Sequence, residues 1–172
     1  MADGRVVLVR PVRMSDEEPL TRLLYQLSDE SRYQRFMAHK SVHSRLEMQR
    51  LVDADYASSV GLVVCEPGAG EIIAMARYDI DPKTGLADIA FVVRDDWQRR
   101  GVGTCLMRRM IEIGRSKGVF GFTADVLSSN LGMLMVFQQS GLRVQTRFDG
   151  STYHLSMPLL EEQVLPLRAP RG

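Results

Sequence analysis

The chain is short of the residues that build disulfide, metal and nucleic-acid proteins. Its 172 residues hold two cysteines, three histidines and one tryptophan, and the formal net charge is only +1. That balance argues against a broad nucleic-acid footprint, which needs a strongly basic face. Cys65 and Cys105 fall in apolar stretches that read as core strand and core helix, so two buried free thiols in a reducing compartment are expected. The histidines lack metal-ligand spacing, and no metal is expected. No apolar run approaches the roughly 18 residues that span a bilayer. The first residues, Met1 to Arg5, lack the charged and apolar regions of a signal peptide. A cytoplasmic protein with neither membrane nor nucleic acid as partner is the expectation. Two phosphate motifs are also missing. Without G-x-x-x-x-G-K-[ST] a P-loop NTPase is disfavoured, and without G-x-G-x-x-G after a first strand so is a dinucleotide fold.

What is present fits one mixed α/β domain over 1–158, with a breaker-rich tail at 159–172 that is expected to be flexible. A first strand at 5–11 is stopped by Pro11. Ser15-Asp16-Glu17-Glu18 reads as a capping box, and Leu20, Leu23, Leu24 and Leu27 follow at helical spacing, predicting a helix at 16–28. Shorter helices are predicted at 29–37 and 45–53, with a polar loop between them. Strands at 61–65, 71–80 and 86–93 are separated by Pro/Gly turns and form a meander. A helix at 101–117 has an apolar stripe of Val102, Leu106, Met110 and Ile113. A strand at 119–127, a helix at 130–140 and a hairpin from 142 to 157 complete the domain.

The junction between the third meander strand and its helix carries the chemistry. Gln98-Arg99-Arg100-Gly101-Val102-Gly103 runs directly into the helix at 101–117. Two glycines let the backbone approach a ligand, and the helix behind them aims unpaired amides and the positive end of its dipole at the same place. That arrangement suits a pyrophosphate. Taken alone, the pair of glycines also fits a tight turn with no ligand.

In this order of elements, Gln98-Arg99-Arg100-Gly101-Val102-Gly103 is similar to the Q/R-x-x-G-x-G/A acyl-CoA signature of the GNAT acetyltransferases, and the resemblance covers roughly residues 5–157. It implies an α+β fold: a mostly antiparallel twisted sheet of about seven strands, flanked by helices and splayed between 86–93 and 119–127. It also implies that acetyl-CoA is the cosubstrate. The amides of 98–103 would grip its pyrophosphate, with Arg99, Arg100 and Thr104 adding contacts. The backbone of Phe91, Val92 and Val93 would pair with the pantetheine arm. Asn130, followed by a helix closing on Gly141-Leu142, resembles the family's second cofactor segment and brings Met133 and Phe137 with it. A plain helix N-cap is the other reading of Asn130.

Acyl transfer to an amine needs that amine neutral, although a lysine ammonium titrates near 10.4. A carboxylate beside the thioester, directly or through water, would remove the proton. Asp88 is acidic within an apolar strand and shares a face with Ala90 and Val92. In GNAT protein-lysine acetyltransferases a Glu in the matching place is the general base, so the resemblance implies that role for Asp88, with a bridging water for the shorter side chain. A solvent-facing aspartate after the hairpin is the bland alternative, Asp125 is the second choice of base, and Asp95 and Asp96 read as turn residues. Phe137 stands where many family members have a proton-donating Tyr, so thiolate protonation would fall to another group such as Ser140 or water.

The segments at 8–20, 27–36 and 91–98 resemble the catalytic domain of bacterial Pat-type protein lysine acetyltransferases. That implies an acceptor lysine on a protein, plausibly an acyl-CoA synthetase. Tyr33, Arg35, Phe36, His39, Lys40 and His43 are then candidates for the acceptor wall, with a structural or merely solvent-exposed place as the other reading of each. A small-molecule amine acceptor and a non-catalytic acyl-CoA-sensing module are the alternatives.

Overall fold

The computed structural model describes residues 6–37, 44–66, 68 and 70–160. The chain starts with β1 (Leu8–Pro11), a short 3-10 turn (Met14–Asp16), and three helices: α1 (Glu17–Gln26), α2 (Asp29–Phe36) and α3 (Arg45–Val52). The meander follows as β2 (Ser59–Cys65), β3 (Ile72–Ile80) and β4 (Leu86–Val93). A 3-10 turn (Asp95–Trp97) then leads to α4 (Val102–Ser116), β5 (Gly121–Leu127), α5 (Leu131–Gln138), β6 (Gln145–Phe148) and β7 (Thr152–Pro158). The seven strands form one sheet in the order β1-β2-β3-β4-β5-β7-β6. Every neighbouring pair is antiparallel except β4 and β5.

Alternation along β4 divides the core between two sheet faces. Ala87, Ile89 and Phe91 pack with Leu106, Met110 and Phe137 on the α4–α5 side. Val92 packs with Leu20, Leu23 and Leu24 on the α1 side. Burying each such aliphatic or aromatic side chain stabilises the fold by about 1.5–3 kcal/mol, so both helical layers are held by their apolar stripes. On α4 the stripe Val102, Leu106 and Met110 is buried as its spacing predicts, while Arg108, Arg109 and Arg115 are exposed.

Three details differ from the sequence expectation. The Ser15–Glu18 capping box does not form: Asp16 holds the N-cap position of α1 without a side-chain cap bond, its carboxylate instead taking a bidentate pair from Arg10 at 2.7 and 2.8 Å and the Arg13 N–H at 2.8 Å. The Arg10 bond outweighs burial and holds the Asp16 carboxyl below the ordinary range. The helix begins at Glu17, next to an ion pair between residues six positions apart that helical spacing does not reveal. Cys105 is half-buried rather than buried, whereas Cys65 is buried; both thiols are free. The tail's first residue, Leu159, lies in the main core, with its N–H bonded to the Phe120 carbonyl at 3.0 Å. Residues 161–172 lie outside the described residues.

Candidate active site

The sheet is split at its centre. β4 and β5 pair only at Leu86–Gly121, Ala87–Phe122 and Asp88–Thr123. Beyond that point β4 has no strand partner on this side, although β3 still pairs with it as far as Val93. A cleft of about 510 Å³ fills the gap. Its walls are Ile89 to Val93 of β4, Ala124, Asp125 and Val126 of β5, and residues of α5. A strand edge without a partner leaves backbone N–H and C=O groups that need one. An extended, amide-bearing ligand arm satisfies that need.

At the mouth stands the start of α4. Gly101 is its N-cap with φ of 84°, a left-handed conformation that disfavours any residue with a Cβ, and no side chain caps the helix. The amides of Val102, Gly103 and Thr104 therefore keep their anion-binding capacity. Arg99 also adopts positive φ, at 57°, and lines the cleft. Gly103 has a further structural reason to be glycine: a Cβ there would meet Val136 Cγ2 at 3.0 Å, so it sets the approach of α5 to α4.

Most of the residues picked from the sequence converge here. Phe91, Val92, Val93, Gln98, Arg99, Gly101, Val102, Gly103, Thr104, Asn130, Met133 and Phe137 all line the cleft. Gln98 shapes the loop, donating to Ser31 Oγ at 3.0 Å and the Val93 carbonyl at 3.1 Å. Asn130 is the N-cap of α5, its side-chain oxygen accepting the Met133 N–H at 3.0 Å, while it also borders the cleft. Phe137 is buried edge-on against Phe91, with ring centroids 5.7 Å apart. Arg100 is not part of the lining; its guanidinium lies over the Trp97 ring, 5.5 Å from the centroid.

Asp88 occupies the last paired register before the strands part. It is exposed and does not line the cleft. Its charge acts on Arg35 of α2, which does line the cleft. Burial lowers the pKa of Arg35, and the negative charges of Asp88 and Asp79 oppose that shift. Of the other proposed wall residues, Phe36 borders a small adjoining cavity, and Tyr33 lies on α2 outside both cavities. His39, Lys40 and His43 are outside the described residues.

Sequence spacing missed two networks. Asp95 ties the loop to α2, accepting from Ser28 N–H at 3.0 Å, Ser28 Oγ at 2.7 Å and Ser31 Oγ at 2.7 Å. Burial raises the Asp95 pKa, but these hydrogen bonds outweigh it and hold the carboxyl below its usual value. On the opposite wall, Asp125 lines the cleft and is bonded to His154. These contacts join residues 64–67 and 29 positions apart, beyond the reach of a local motif.

Comparison with known proteins agrees with this geometry. The family profile described as Acetyltransferase (GNAT) matches residues 22–142. The chain is 32% identical over 118 residues to an acetyltransferase of Pseudomonas aeruginosa, covering 67% of this chain and 63% of that protein. It is 32% identical over 139 residues to Acetyltransferase Pat of Mycolicibacterium smegmatis, covering 80% and 41%. The chain thus spans about two-fifths to three-fifths of these curated relatives. The crystal structure of the GNAT domain of S. lividans PAT superposes with a TM-score of 0.84 at 33% identity, covering 91% of this chain and 93% of that one. The matched profile brackets the split strand, the uncapped helix and the glycine loop, and the chain belongs to the GNAT acetyltransferase family.

Proposed function

We propose that the protein transfers an acetyl group from acetyl-CoA to a lysine side-chain amine of a protein, with an acyl-CoA synthetase as the favoured acceptor. The cleft between β4 and β5 carries this reading: it has a helix N-terminus at its mouth and an unpartnered strand edge along its length. The residues fit the donor. Amides 102–104 and Arg99 meet the pyrophosphate, the edge of β4 from 89 to 93 meets the pantetheine amides, and Phe137 and Met133 pack against the arm. The lysine acceptor is supported by the likeness to the PAT domain, which extends over nine-tenths of both chains.

In the proposed reaction the acetyl group lies near the closed end of the cleft, and the acceptor enters from the α2 side. Asp88, standing at that end, takes the ammonium proton through a water molecule. The neutral amine attacks the thioester carbonyl, the C–S bond breaks, and the thiolate takes a proton from solvent. Phe137 has no proton to give. A second reading, a small carboxylate-bearing amine as acceptor, is favoured by Arg35, a residue of the cleft lining whose guanidinium suits a carboxylate.

Labelled acetyl-CoA incubated with the protein and the host's soluble proteins, followed by mapping of the labelled lysines, tests the reading. A dominant signal on an acyl-CoA synthetase is expected. Transfer to free amino acids with no protein label would favour the Arg35 reading instead. Acetyl-CoA binding without any transfer would leave a sensing module.

A further inference from the structure

The β5 wall holds a chain of three side chains that donor binding does not use. Asp125 lines the cleft, and its Oδ1 lies 2.7 Å from Nδ1 of His154, its cross-strand neighbour on β7. Nε2 of His154 lies 3.0 Å from Oδ2 of Asp149 in the β6–β7 turn. Asp149 is fixed in turn by the N–H groups of Ser151 at 3.0 Å and Thr152 at 2.9 Å. The His154 side chain is only 10% exposed, so the ring is clamped between two carboxylates at the edge of the site. The second oxygen of Asp125 makes no hydrogen bond among the described residues.

Position gives that oxygen a role. Asp88 pairs in register with Thr123, and Asp125 lies two residues further along β5. Side chains two apart share a sheet face, so both carboxylates lie on the face that carries α2, one on each side of the split. We propose that Asp125 is the docking carboxylate for the acceptor's ammonium group, with His154 and Asp149 as the positioning residues that aim it. This inference rests on the acetyltransferase reading and adds a recognition step to it.

The acceptor amine arrives protonated and pairs with the open oxygen of Asp125. A bare carboxylate would strengthen the N–H bond by stabilising the ammonium. Here the imidazolium of His154 takes up part of the Asp125 charge, so the ammonium releases its proton to the Asp88 water. The nitrogen lone pair then attacks the thioester carbonyl, the amide C–N bond forms as the C–S bond breaks, and the coenzyme A thiolate leaves and takes a proton from solvent.

Three neighbouring groups and burial bear on the pH response. The Asp149 hydrogen bond raises the His154 pKa above its ordinary value, burial opposes it, Asp125 adds to the rise, and Arg147 on β6 opposes it. Below that pKa the imidazolium shares the Asp125 charge. As pH rises through it, the ring becomes neutral and Asp125 regains its full charge for an acceptor still protonated until near 10.4. Acceptor KM should therefore fall over that interval.

The test is steady-state kinetics from pH 6 to 9 with acetyl-CoA and an N-terminally blocked lysine peptide. Asp125→Asn should raise the peptide KM about tenfold, equivalent to about 1.4 kcal/mol, with kcat within a few-fold of wild type. His154→Asn should give a smaller rise and a KM that no longer falls with pH. Asp125→Glu, which keeps the charge, should recover part of the loss, and acetyl-CoA affinity verifies that each variant is folded. A collapse of kcat at constant KM in Asp125→Asn would overturn docking in favour of proton abstraction. An unchanged Asp125→Asn, or a His154→Asn with the wild-type pH trend, would also overturn it. A wild type that acetylates the peptide while Asp125→Asn is unaffected sinks only this inference. A wild type that binds acetyl-CoA and labels no lysine peptide sinks the lysine reading and this inference together.

Discussion

The two walls of the cleft are built on different plans. The β4 wall is one continuous stretch from Ile89 to Thr104: strand, turn, glycine loop and helix start. The β5 wall is assembled from Ala124 to Val126, the helix α5, and a histidine brought in by the β5–β7 pairing. Continuous chain fixes geometry through backbone conformation, as the left-handed Gly101 shows. Assembled geometry depends on which strands pair. The difference predicts that the β4 wall handles the invariant donor, while the β5 wall is free to adapt to an acceptor.

The largest expected effect belongs to the end of the β4 wall. Asp88→Asn should leave acetyl-CoA affinity intact yet lower transfer at neutral pH by roughly 10²–10⁴-fold, the usual contribution of a general base. Raising the pH should restore part of it by deprotonating the amine without help. Isothermal titration and pH-resolved kcat measurements separate the two quantities. Since Asp88 is exposed and outside the cleft lining, unchanged transfer would move the base to the β5 wall.

Phe137 joins the walls, and its loss should damage the fold itself. It is buried against Phe91 across the split. Phe137→Ala should destabilise by about 3–5 kcal/mol, from lost transfer energy and the cavity left behind. Phe137→Tyr adds a hydroxyl within the same outline and should cost far less. Denaturant unfolding of the two variants is the comparison. Equal losses would show that the ring does not bridge the walls.

This contrast also explains what sequence could reveal. The order of elements and the loop lining were readable because each depends on local spacing or on a contiguous motif. Gln98 and the glycines are examples. The split between β4 and β5 came only as an implication of the family resemblance. The Ser15–Glu18 capping box failed because α1 starts one residue later, with Asp16 at the N-cap position and its carboxylate claimed by Arg10 of β1. Asp125 was visible as a second choice, but His154 was not. Only the register of β5 with β7 places that ring beside it, and one histidine in a final hairpin carries no spacing signal. The turn also separates two adjacent arginines that spacing treats alike: the Arg100 guanidinium lies over the Trp97 ring, while Arg99 lines the cleft.

A smaller effect distinguishes ligand approach from packing in the loop. Gly103 fits the signature, yet a Cβ added there would also meet Val136 Cγ2 at 3.0 Å. Gly103→Ala should therefore cost about 1 kcal/mol by crowding α5, at the lower end of overpacking penalties. Val136→Ala removes the opposing methyl groups. If packing is the constraint, the double variant should lose less stability than the sum of the two single changes. Additive losses would leave close approach to the pyrophosphate as the reason for glycine, and acetyl-CoA affinity of Gly103→Ala would then fall with or without Val136.

The smallest expected effect tests the β5 wall in the free protein. The Asp149 bond and Asp125 raise the His154 pKa, with burial and Arg147 opposing. A raised pKa means the folded state binds the proton more tightly than the unfolded chain. The stabilisation is then fully present below the unfolded value near 6.5 and is lost as pH rises through the higher folded value. Stability of the wild type relative to His154→Asn should accordingly decline across that window, with the midpoint matched by the imidazole titration in NMR. Asp149→Asn removes the first cause of the shift and should move the midpoint down, while Asp125→Asn should move it down less. The reverse ranking would make Asp125, not the turn, the anchor of the ring, and the β5 wall would then be held from within the cleft rather than from outside it.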